Sequence, residues 1–375
     1  MNVPKLRFKE FNNLWQNEKL EDAVEFLDEK RKPIKDSDRN NIKGEYPYYG
    51  ASGIIDYIND YIFYEDLLLL GEDGANILSR STKLVFKATG KYWVNNHAHV
   101  LKPKENYNID FLESYLENIN YESYNTGTAQ PKLNKEVCKK INIKIPSLKE
   151  QIKIGKTLSI LDKKIELQSK KIEDLKLFKK GLIIHIIKNI EVEKIPLKNI
   201  LTEQNHKTKK NNEYEILSST SKGIYLQKDY FNKQAASDNN EGYKILKKNQ
   251  LVLSPQNLWM GNININTEYN IGIVSPSYKI FNINNNINID FFNYWIKSSK
   301  ALYEYKVSSE QGASIVRRNL NIDLFYEIIV DVPKGELQNK LGNIIKLLNL
   351  NLQYNENLLQ KIIKFKKGLM QIMFV

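Results

Sequence analysis

Two polar turns of the chain carry residue types that can read the edges of DNA bases. Amide, hydroxyl and arginine side chains make such contacts, and lysine and arginine also neutralise phosphates. The first turn combines a glycine for close backbone approach, a hydroxyl, an amide suited to adenine and a cation; its candidates are Gly127, Thr128, Gln130 and Lys132. The second turn includes two adjacent arginines suited to guanine or phosphate; its candidates are Gln311, Ser314, Arg317 and Arg318. Ordinary solvated turns are the alternative interpretation of both segments.

Three shorter segments carry further candidates. One polar turn has the residue types to face a phosphate; its candidates are Ser219, Thr220, Ser221 and Lys222. Gln256 and Asn257 are candidate base contacts, whereas the neighbouring Trp259 is predicted to lie in the core. Tyr48 and Ser52 belong to a glycine-containing turn, where a tyrosine either touches DNA or packs a β core with its hydroxyl in water.

The sequence shows no pattern of a common catalytic or metal site. The nearest string to a phosphate-binding P-loop, KATGKY, lacks the first glycine and the hydroxyl of that motif. His97 and His99 alternate as in a strand, but a metal site would need further ligands. The single cysteine, Cys138, excludes an internal disulfide and a cysteine-based zinc site. We therefore predict no catalytic residue, no metal and no directly bound cofactor.

The chain that carries these turns repeats itself. A segment beginning at Ile143, IKIPSLKEQIKIGKTLSILDKKIELQSKKIEDLKLFKKGL, corresponds to one beginning at Val330, VDVPKGELQNKLGNIIKLLNLNLQYNENLLQKIIKFKKGL. Matched residues differ by 187 in number, as Pro146 and Pro333 do. Other pairs at this offset are Gln151 with Gln338 and Gly155 with Gly342. The offset is half of the 375 residues, so the sequence predicts two copies of one plan.

Each copy ends in a predicted long helix. A proline opens each helix, and apolar residues follow at steps of three and four, which places them on one seam as in a coiled coil. Gln168 and Asn355 interrupt the two seams at equivalent places. If the helices pack antiparallel, the two amides meet at the centre and set the register. Surface positions on a drifting stripe are the alternative.

The rest of each copy consists of short β-like runs between turn signals. We expect a first globular domain at 1–146, a central spacer helix at 147–190, a second globular domain at 191–333 and a C-terminal spacer helix at 334–375. The expected fold class is α+β. Two mixed, β-rich domains would be separated by two long helices that form an antiparallel coiled coil, in a pseudo-two-fold tandem repeat. Two such domains on a rigid spacer suit a DNA site made of two separated half-sites.

Taken together, several segments resemble the specificity subunits of type I restriction–modification systems: PKLRFKEF near the amino terminus, YPYYGASGIIDYI, NNHAHVLKP, TGTAQPKLN and the Pro-led heptad helix. The resemblance covers essentially the full chain, in the family's order of target-recognition domain, spacer helix, target-recognition domain, spacer helix. It implies that each recognition domain reads one half of a bipartite site in double-stranded DNA. It also implies that two methyltransferase subunits bind the spacer helices and that restriction motor-nuclease subunits join them. S-adenosylmethionine, ATP and Mg would then serve those partners.

Composition is compatible with this interpretation. The net charge of +12 and the pI of about 9.2 favour a polyanionic partner. The amino terminus has no apolar signal-peptide core and no run approaches the ~20 apolar residues of a membrane span, so we expect a soluble, cytoplasmic protein without a membrane partner. Two other interpretations stay open: a self-sufficient DNA-modifying enzyme with a cryptic site, and a coiled-coil adaptor protein with binding heads.

Overall fold

The chain divides into two compact units. The structure is a computed structural model that describes residues 3–230, 239–314 and 317–374, with the backbone alone described at 230, 311–314 and 317. Unit 1 is Met1–Lys171 together with Glu356–Val375, and unit 2 is Ile172–Asn355. Both division points fall inside long helices, so each unit takes part of each helix.

Unit 1 combines short strands, short helices and the first part of a long helix. Its strands are β1 (Gln16–Lys19), β2 (Val24–Phe26), β3 (Lys43–Gly50), β4 (Gly53–Ile58), β5 (Leu67–Gly71), β6 (Val85–Ala88), β7 (Trp93–Val94), β8 (Ala98–Pro103) and β9 (Asn142–Ile145). Its helices are α1 (Leu20–Ala23), α2 (Asp36–Arg39), α3 (Asn76–Ser79), α4 (Ile109–Asn118), α5 (Lys135–Lys139) and the start of α6 (Leu148–Lys188).

Unit 2 has a similar composition of elements. Its strands are β10 (Val192–Pro196), β11 (Leu201–Gln204), β12 (Leu217–Thr220), β13 (Gly223–Leu226), β14 (Lys244–Lys247), β15 (Leu251–Leu253), β16 (Ile263–Ile265), β17 (Ile271–Val274), β18 (Lys279–Ile283), β19 (Ser309–Ser314), β20 (Arg317–Leu320) and β21 (Ile329–Pro333). Its helices are α7 (Leu197–Ile200), α8 (Gln227–Tyr230), α9 (Ile289–Trp295), α10 (Ser299–Val307), α11 (Ile322–Tyr326) and the start of α12 (Glu336–Met373).

The central sheet has the same strand order in both units. In unit 1 the order is β2-β8-β5-β6, and in unit 2 it is β11-β18-β15-β16, antiparallel throughout. A two-stranded pair joins the first and last strands of each unit, β1 with β9 and β10 with β21. A hairpin also occurs at the same place in each unit, β3–β4 and β12–β13. The repeat therefore extends into the middle of both copies, where the sequences do not align in detail.

Strand β5 is apolar throughout because both of its faces are buried. Leu68 and Leu70 belong to the hydrophobic cluster that includes α4, whereas Leu67 and Leu69 belong to a second cluster on the opposite face. Alternate side chains of a strand point to opposite faces, so a strand covered on both sides reads as a continuous apolar run. This burial holds the C-terminal end of β5 in a defined place.

In unit 1, one glutamine attaches the long helix to the globular part. Oε1 of Gln151 in α6 accepts a hydrogen bond from the N–H of Asn108 at 2.9 Å, and the Asn108 side chain caps α4 by accepting from the N–H of Phe111 at 3.0 Å. A Cβ at Gly155 would lie 2.6 Å from Oδ1 of Asn108, so the close approach requires glycine.

Unit 2 repeats this arrangement, with Gln338 and Gly342 at the offset of 187 from Gln151 and Gly155. Oε1 of Gln338 in α12 accepts from the N–H of Asn288, whose side chain caps α9 through the N–H of Phe291 at 3.1 Å. A Cβ at Gly342 would overlap the Asn288 side chain. The glutamine and glycine pairs found in the sequence thus mark the same helix-to-domain joint in both copies.

The long helices lie antiparallel within unit 1. Nζ of Lys366 in α12 donates to Oδ1 of Asp162 in α6 at 2.6 Å. Nearer the start of α6, Leu158 shares the core with Met370, near the end of α12. Positions nearer the start of α6 thus pack with positions nearer the end of α12, as in an antiparallel pair.

The same direction of packing holds within unit 2. Nζ of Lys179 in α6 donates to Oδ1 of Asn349 in α12 at 2.5 Å. Further along α6, Ile183 shares the core with Ile345, which precedes Asn349 in α12. The α+β fold class, with its tandem repeat and antiparallel long helices, is confirmed. The four-segment division of the chain stays a prediction.

The two residues proposed to set the register have different surroundings. Asn355 is 1 % exposed, and its Nδ2 donates to the carbonyl oxygen of Asn351 at 2.7 Å. Gln168 is half-buried. Their pairing with each other stays a prediction.

Candidate nucleic-acid interface

The tips of the two equivalent hairpins carry predicted contact residues. The β3–β4 turn exposes Ser52 and is followed by Gly53 with a φ of +120°. The β12–β13 turn exposes Ser221 and Lys222 and is followed by Gly223 with a φ of +148°. Glycine reaches such φ values without the strain that a Cβ would cause. Both units therefore present a two-residue hairpin tip with an exposed serine at the same place in the fold.

The first candidate loop closes around one amide side chain. Oδ1 of Asn125 accepts hydrogen bonds from the N–H of Gly127 at 3.0 Å and from the N–H of Lys132 at 2.8 Å. A Cβ at Gly127 would overlap the carbonyl oxygen of Gln130, so the closed loop requires glycine here. The closure leaves Thr128 and Gln130 exposed at the outer edge of the loop.

The same loop is attached to the segment that follows β5. The N–H of Gly74 donates to the carbonyl oxygen of Pro131 at 3.0 Å, and the N–H of Leu133 donates to that of Glu72 at 2.7 Å. Nζ of Lys132 lies 3.3 Å from a carboxylate oxygen of Glu72. Hydrogen bonds on both sides of the loop thus hold it at the C-terminal end of the central strand.

The β3–β4 tip meets the same end of β5. A Cβ at Gly71, the last residue of β5, would lie 2.6 Å from the carbonyl oxygen of Ala51 in the β3–β4 turn. Only glycine allows this approach. The hairpin tip and the candidate loop are therefore brought to one edge of unit 1.

An ion network lies beneath the loop. Arg31 donates from Nη1 to Oε2 of Glu72 at 2.8 Å. The ring of His99 is 1 % exposed, with Nδ1 2.7 Å from Oδ2 of Asp28 and Nε2 2.7 Å from the carbonyl oxygen of Leu133. His99 thus connects the end of the candidate loop to a buried carboxylate.

The surroundings of His99 favour its charged form. Burial lowers the pKa of His99, but the hydrogen bond to Asp28 opposes this and contributes to raising the pKa to about 10. Both ring nitrogens of the imidazolium then donate, one to Asp28 and one to the carbonyl of Leu133. Burial raises the pKa of Asp28, yet the His99 contact holds it below its ordinary value. The pair is an ion pair at neutral pH.

The corresponding contact in unit 2 joins two predicted residues. The N–H of Arg318 in β20 donates to the carbonyl oxygen of Gln256 at 3.4 Å, and the guanidinium lies 5.3 Å from the centroid of the Trp259 ring. Gln256 is exposed and follows β15, the counterpart of β5. In both units, the segment after the central strand contacts the segment that precedes the short helix α5 or α11.

Two predicted contact residues are buried. Tyr48 is 1 % exposed, and its hydroxyl accepts a hydrogen bond from the N–H of Ile34 at 2.9 Å. Ser219 is 3 % exposed, and its Oγ bonds to the amides of Asn262 and Asn264 at 2.9 and 2.7 Å. These hydroxyls hold the hairpins in place and do not face solvent.

Two further predicted contact residues use their polar groups in hydrogen bonds within their own turns. Oγ1 of Thr220 donates to the carbonyl oxygen of Gly223 at 3.1 Å, and Nδ2 of Asn257 donates to Oγ of Ser254 at 3.3 Å. The side chains of three further candidates lie outside the described part of the chain; these are Gln311, Ser314 and Arg317. All of these contacts with DNA stay predictions.

Sequence reasoning missed the residues that shape the loop. Asn125 left a local signal, because an asparagine two residues before a glycine is typical of a turn closed by its own side chain. Asp28 left none. Its partner His99 is 71 residues away, so only the folded chain brings the two together.

Neither a metal centre nor a membrane span is found where the structure describes the chain. No group of three or more His, Cys, Asp or Glu residues in that part is placed to hold a metal ion. His97 is instead paired with Asp73 at 2.8 Å. None of the described helices combines the length and the apolar character that a bilayer crossing requires.

The fold and the polar tips define a duplicated α+β protein with two equivalent candidate interfaces. Residues 12–177 match the family described as the type I restriction modification DNA specificity domain. The match covers most of the first copy of the repeat and ends within α6. The resemblance to type I specificity subunits drawn from the sequence is confirmed.

Curated relatives have the same description. A putative type I restriction enzyme specificity subunit of Haemophilus influenzae is 38% identical over 142 residues, which are 38% of this chain and 36% of the relative. The EcoprrI specificity subunit of Escherichia coli is 30% identical over 118 residues, 32% of this chain and 27% of the relative. The MjaVIII specificity subunit of Methanocaldococcus jannaschii is 26% identical over 200 residues, 47% and 44% of the two chains. Each match spans less than half the length of the relative.

A solved structure shares the whole fold. The S subunit of a type I restriction-modification system from M. genitalium matches with a TM-score of 0.65 and covers 100% of this chain and 99% of that chain. The two sequences are 15% identical, so the likeness is one of fold.

Proposed function

We propose that this chain recognises a bipartite site in double-stranded DNA, with one half-site read by each unit. It would also scaffold the methyltransferase and motor-nuclease subunits of a type I restriction–modification complex. The chain itself is not catalytic in this proposal, and S-adenosylmethionine, ATP and Mg serve the partner subunits. The family of residues 12–177 and the names of the curated relatives support this function.

The equivalent placement of exposed polar residues in both units carries the proposal. Unit 1 presents Ser52 at its hairpin tip and Gln130 in its loop, and unit 2 presents Lys222 at its tip and Gln256 beside Arg318. Amides and hydroxyls suit base edges, and cations suit phosphates. Two equivalent surfaces on one chain are what a recognition sequence of two halves requires.

We further propose that exposed apolar residues of the long helices dock the methyltransferase subunits. Residues related by the offset of 187 are exposed in pairs; these are Ile160 with Leu347 (51% and 67%), Leu167 with Tyr354 (54% and 67%) and Phe178 with Phe365 (58% and 61%). Contiguous exposed apolar groups mark interaction surfaces. In unit 1, Leu167 and Phe365 line a groove of about 650 Å³. Each unit holds one member of every pair, so one methyltransferase copy would bind to each.

Selection from random duplex DNA tests the recognition function. The full chain with its methyltransferase partner is expected to enrich two specified segments separated by an unspecified spacer. Binding should weaken steeply with salt, because lysine and arginine contacts release counterions from DNA. Lys222→Gln should weaken binding to all sequences alike and lower the salt slope by about one, whereas Gln130→Ala should relax base preference in one half only.

Two results would contradict the proposal. One is enrichment of a single continuous sequence, or of none. The other is S-adenosylmethionine-dependent methylation by the purified chain alone, which would favour an enzyme with a cryptic site.

A further inference from the structure

Unit 2 contains a cavity of about 430 Å³. It lies among α6, the β12–β13 turn, β16, α9 and α12, and Lys222 is the residue of its lining that is also a candidate DNA contact. Cavities of roughly 300–1,000 Å³ are typical of small-molecule sites. The size of this one therefore suits a small ligand.

The lining of the cavity is strongly basic. Lys179, Lys222 and Lys297 all line it, and in the described part of the chain no carboxylate forms an ion pair with any of the three. Glu268 is the acidic residue of the lining, and it is exposed. The cavity thus gathers positive charge without the acidic partners that usually accompany it.

Lys297 is held in the wall of this cavity by backbone oxygens. Its Nζ donates to the carbonyl oxygens of Gly261 at 2.9 Å and Ser221 at 3.2 Å, which leaves a third N–H for a ligand. Burial without an acidic partner lowers the pKa of Lys297 to about 8. Burial also lowers the pKa of Lys179, whose Nζ donates to Asn349. Both ammonium groups would gain from an anion in the cavity.

Neutral donors complete the lining. Asn293 and Asn349 also line the cavity, so an anion there would meet amide donors as well as charge, whereas the amide of Asn264 already donates to Ser219 and Thr220. Three cations surrounding one space repel each other, and a dianion between them converts this repulsion into attraction. Phosphoryl groups are the biological dianions with this geometry of several acceptor oxygens.

We propose that this cavity binds a phosphoryl group through Lys179, Lys222 and Lys297. The remaining volume accommodates the organic part of a small phosphorylated ligand. A backbone phosphate of DNA reaching Lys222 is the other source of the same chemistry. The site does not depend on the proposed reading of DNA bases.

Sulfate is the probe of choice, because it is a tetrahedral dianion whose charge is constant through the neutral pH range. Calorimetric titration of the full chain with sulfate, against chloride at the same ionic strength, should show specific sulfate binding. Lys297→Gln should weaken it about tenfold or more, since the change removes a charged hydrogen-bond donor to the anion. Lys222→Gln should weaken it as well, and this variant should fold normally because the Lys222 side chain is exposed.

Lys346→Gln is the matched control, because it removes the same charge from an exposed position of α12 outside the cavity. It should leave sulfate binding unchanged. Sulfate binding no stronger than chloride binding would overturn the proposal. So would equal losses in the control and in the two cavity variants, or no loss in either cavity variant.

A short DNA duplex distinguishes the two sources of phosphate. If Lys297→Gln loses sulfate but keeps DNA affinity, the cavity serves a free phosphorylated ligand. If both affinities fall together, it receives a DNA phosphate. Both results support a phosphoryl site, and failure of the bipartite selection would leave the sulfate result standing.

Discussion

Gly127 decides whether the first candidate loop closes. We predict that Gly127→Ala opens the loop, because the added Cβ overlaps the carbonyl oxygen of Gln130. DNA affinity should fall about tenfold, which corresponds to about 1.4 kcal/mol, while the melting temperature changes little because the loop is exposed. Filter binding and thermal denaturation measure the two effects.

Gly181→Ala is the control for this change. No atom lies within 4 Å of a Cβ at this helical position, so the same methyl group meets open space. DNA affinity should be unchanged, and stability should rise by about 0.5–1 kcal/mol from helix propensity. Equal losses of affinity in the two variants would mean that loop closure is not the cause.

The buried His99–Asp28 pair should make stability depend on pH. The pKa of His99 is raised to about 10 in the folded chain, so its contribution is complete below its unfolded pKa of ~6.5 and is lost as pH rises towards 10. The pKa of Asp28 is lowered in the folded chain, so the contribution of Asp28 to stability is lost only in acid. His99→Gln should therefore cost about 3 kcal/mol near pH 6 and progressively less towards pH 10.

Urea denaturation of wild type and His99→Gln across this range measures the difference. His185→Gln, at an exposed position of α6, serves as the control and should show no such trend. A constant difference between pH 6 and pH 10 would show that hydrogen bonding, and not charge, is responsible.

At the scale of single residues, the sequence predicted turns better than it predicted burial. Ser52, Gln130 and Lys222 stand in strong turn signals, and they are exposed as expected. Tyr48 stands in a similar signal but is buried, and its hydroxyl accepts a hydrogen bond from the N–H of Ile34. Local patterns indicate a turn, whereas burial depends on what the rest of the chain places over it.

At the scale of elements, the exposed apolar residues of the long helices lead to a prediction about stoichiometry. We predict that Leu167→Ser with Phe365→Ser removes the docking surface of unit 1 and lowers the number of bound methyltransferase copies from two to one. Native mass spectrometry counts the copies. Leu78→Ser is the control, because it also removes an exposed apolar side chain but from α3. This variant should keep both methyltransferase copies.

The amides of the two helix seams lead to a prediction about register. Replacing Gln168 and Asn355 by leucine should leave the helices paired but allow more than one register. In the wild type, a shifted register would place these polar side chains against apolar ones, and the leucine variant lacks this penalty. Spin labels on α6 and α12 would then report a broader distance distribution than in the wild type. A single distance, unchanged from the wild type, would show that Gln168 and Asn355 do not set the register.

Elements with regular periodicity were predictable, and their pairing was not. The apolar spacing and the opening prolines predicted two long helices, and α6 and α12 extend over Leu148–Lys188 and Glu336–Met373. The sheet order β2-β8-β5-β6 was not predicted, because it joins strands far apart in sequence. Periodicity is a local property of the chain, whereas strand order is decided by the closure of the whole unit.

For the whole molecule, the repeat predicts that the two proposed recognition surfaces act independently. Replacing residues 191–333 with the corresponding segment of a specificity subunit that reads another sequence should change one half-site and leave the other unchanged. Mapping of methylated bases in cells that carry the hybrid chain tests this. A change in both halves would mean that the two units read DNA jointly.

The end of α12 and the residue after it complete the core of the first unit. Met370, Met373 and Phe374 lie in the core of unit 1, and the Phe374 ring is 5.3 Å from Tyr115 and 5.9 Å from Phe111. During translation, all of unit 2, Ile172–Asn355, leaves the ribosome before these residues do. The second unit can therefore fold first, and the nascent first unit exposes apolar surface until the end of α12 has been synthesised. A ribosome that stalls in α12 would therefore leave a complete second unit attached to an incomplete first one.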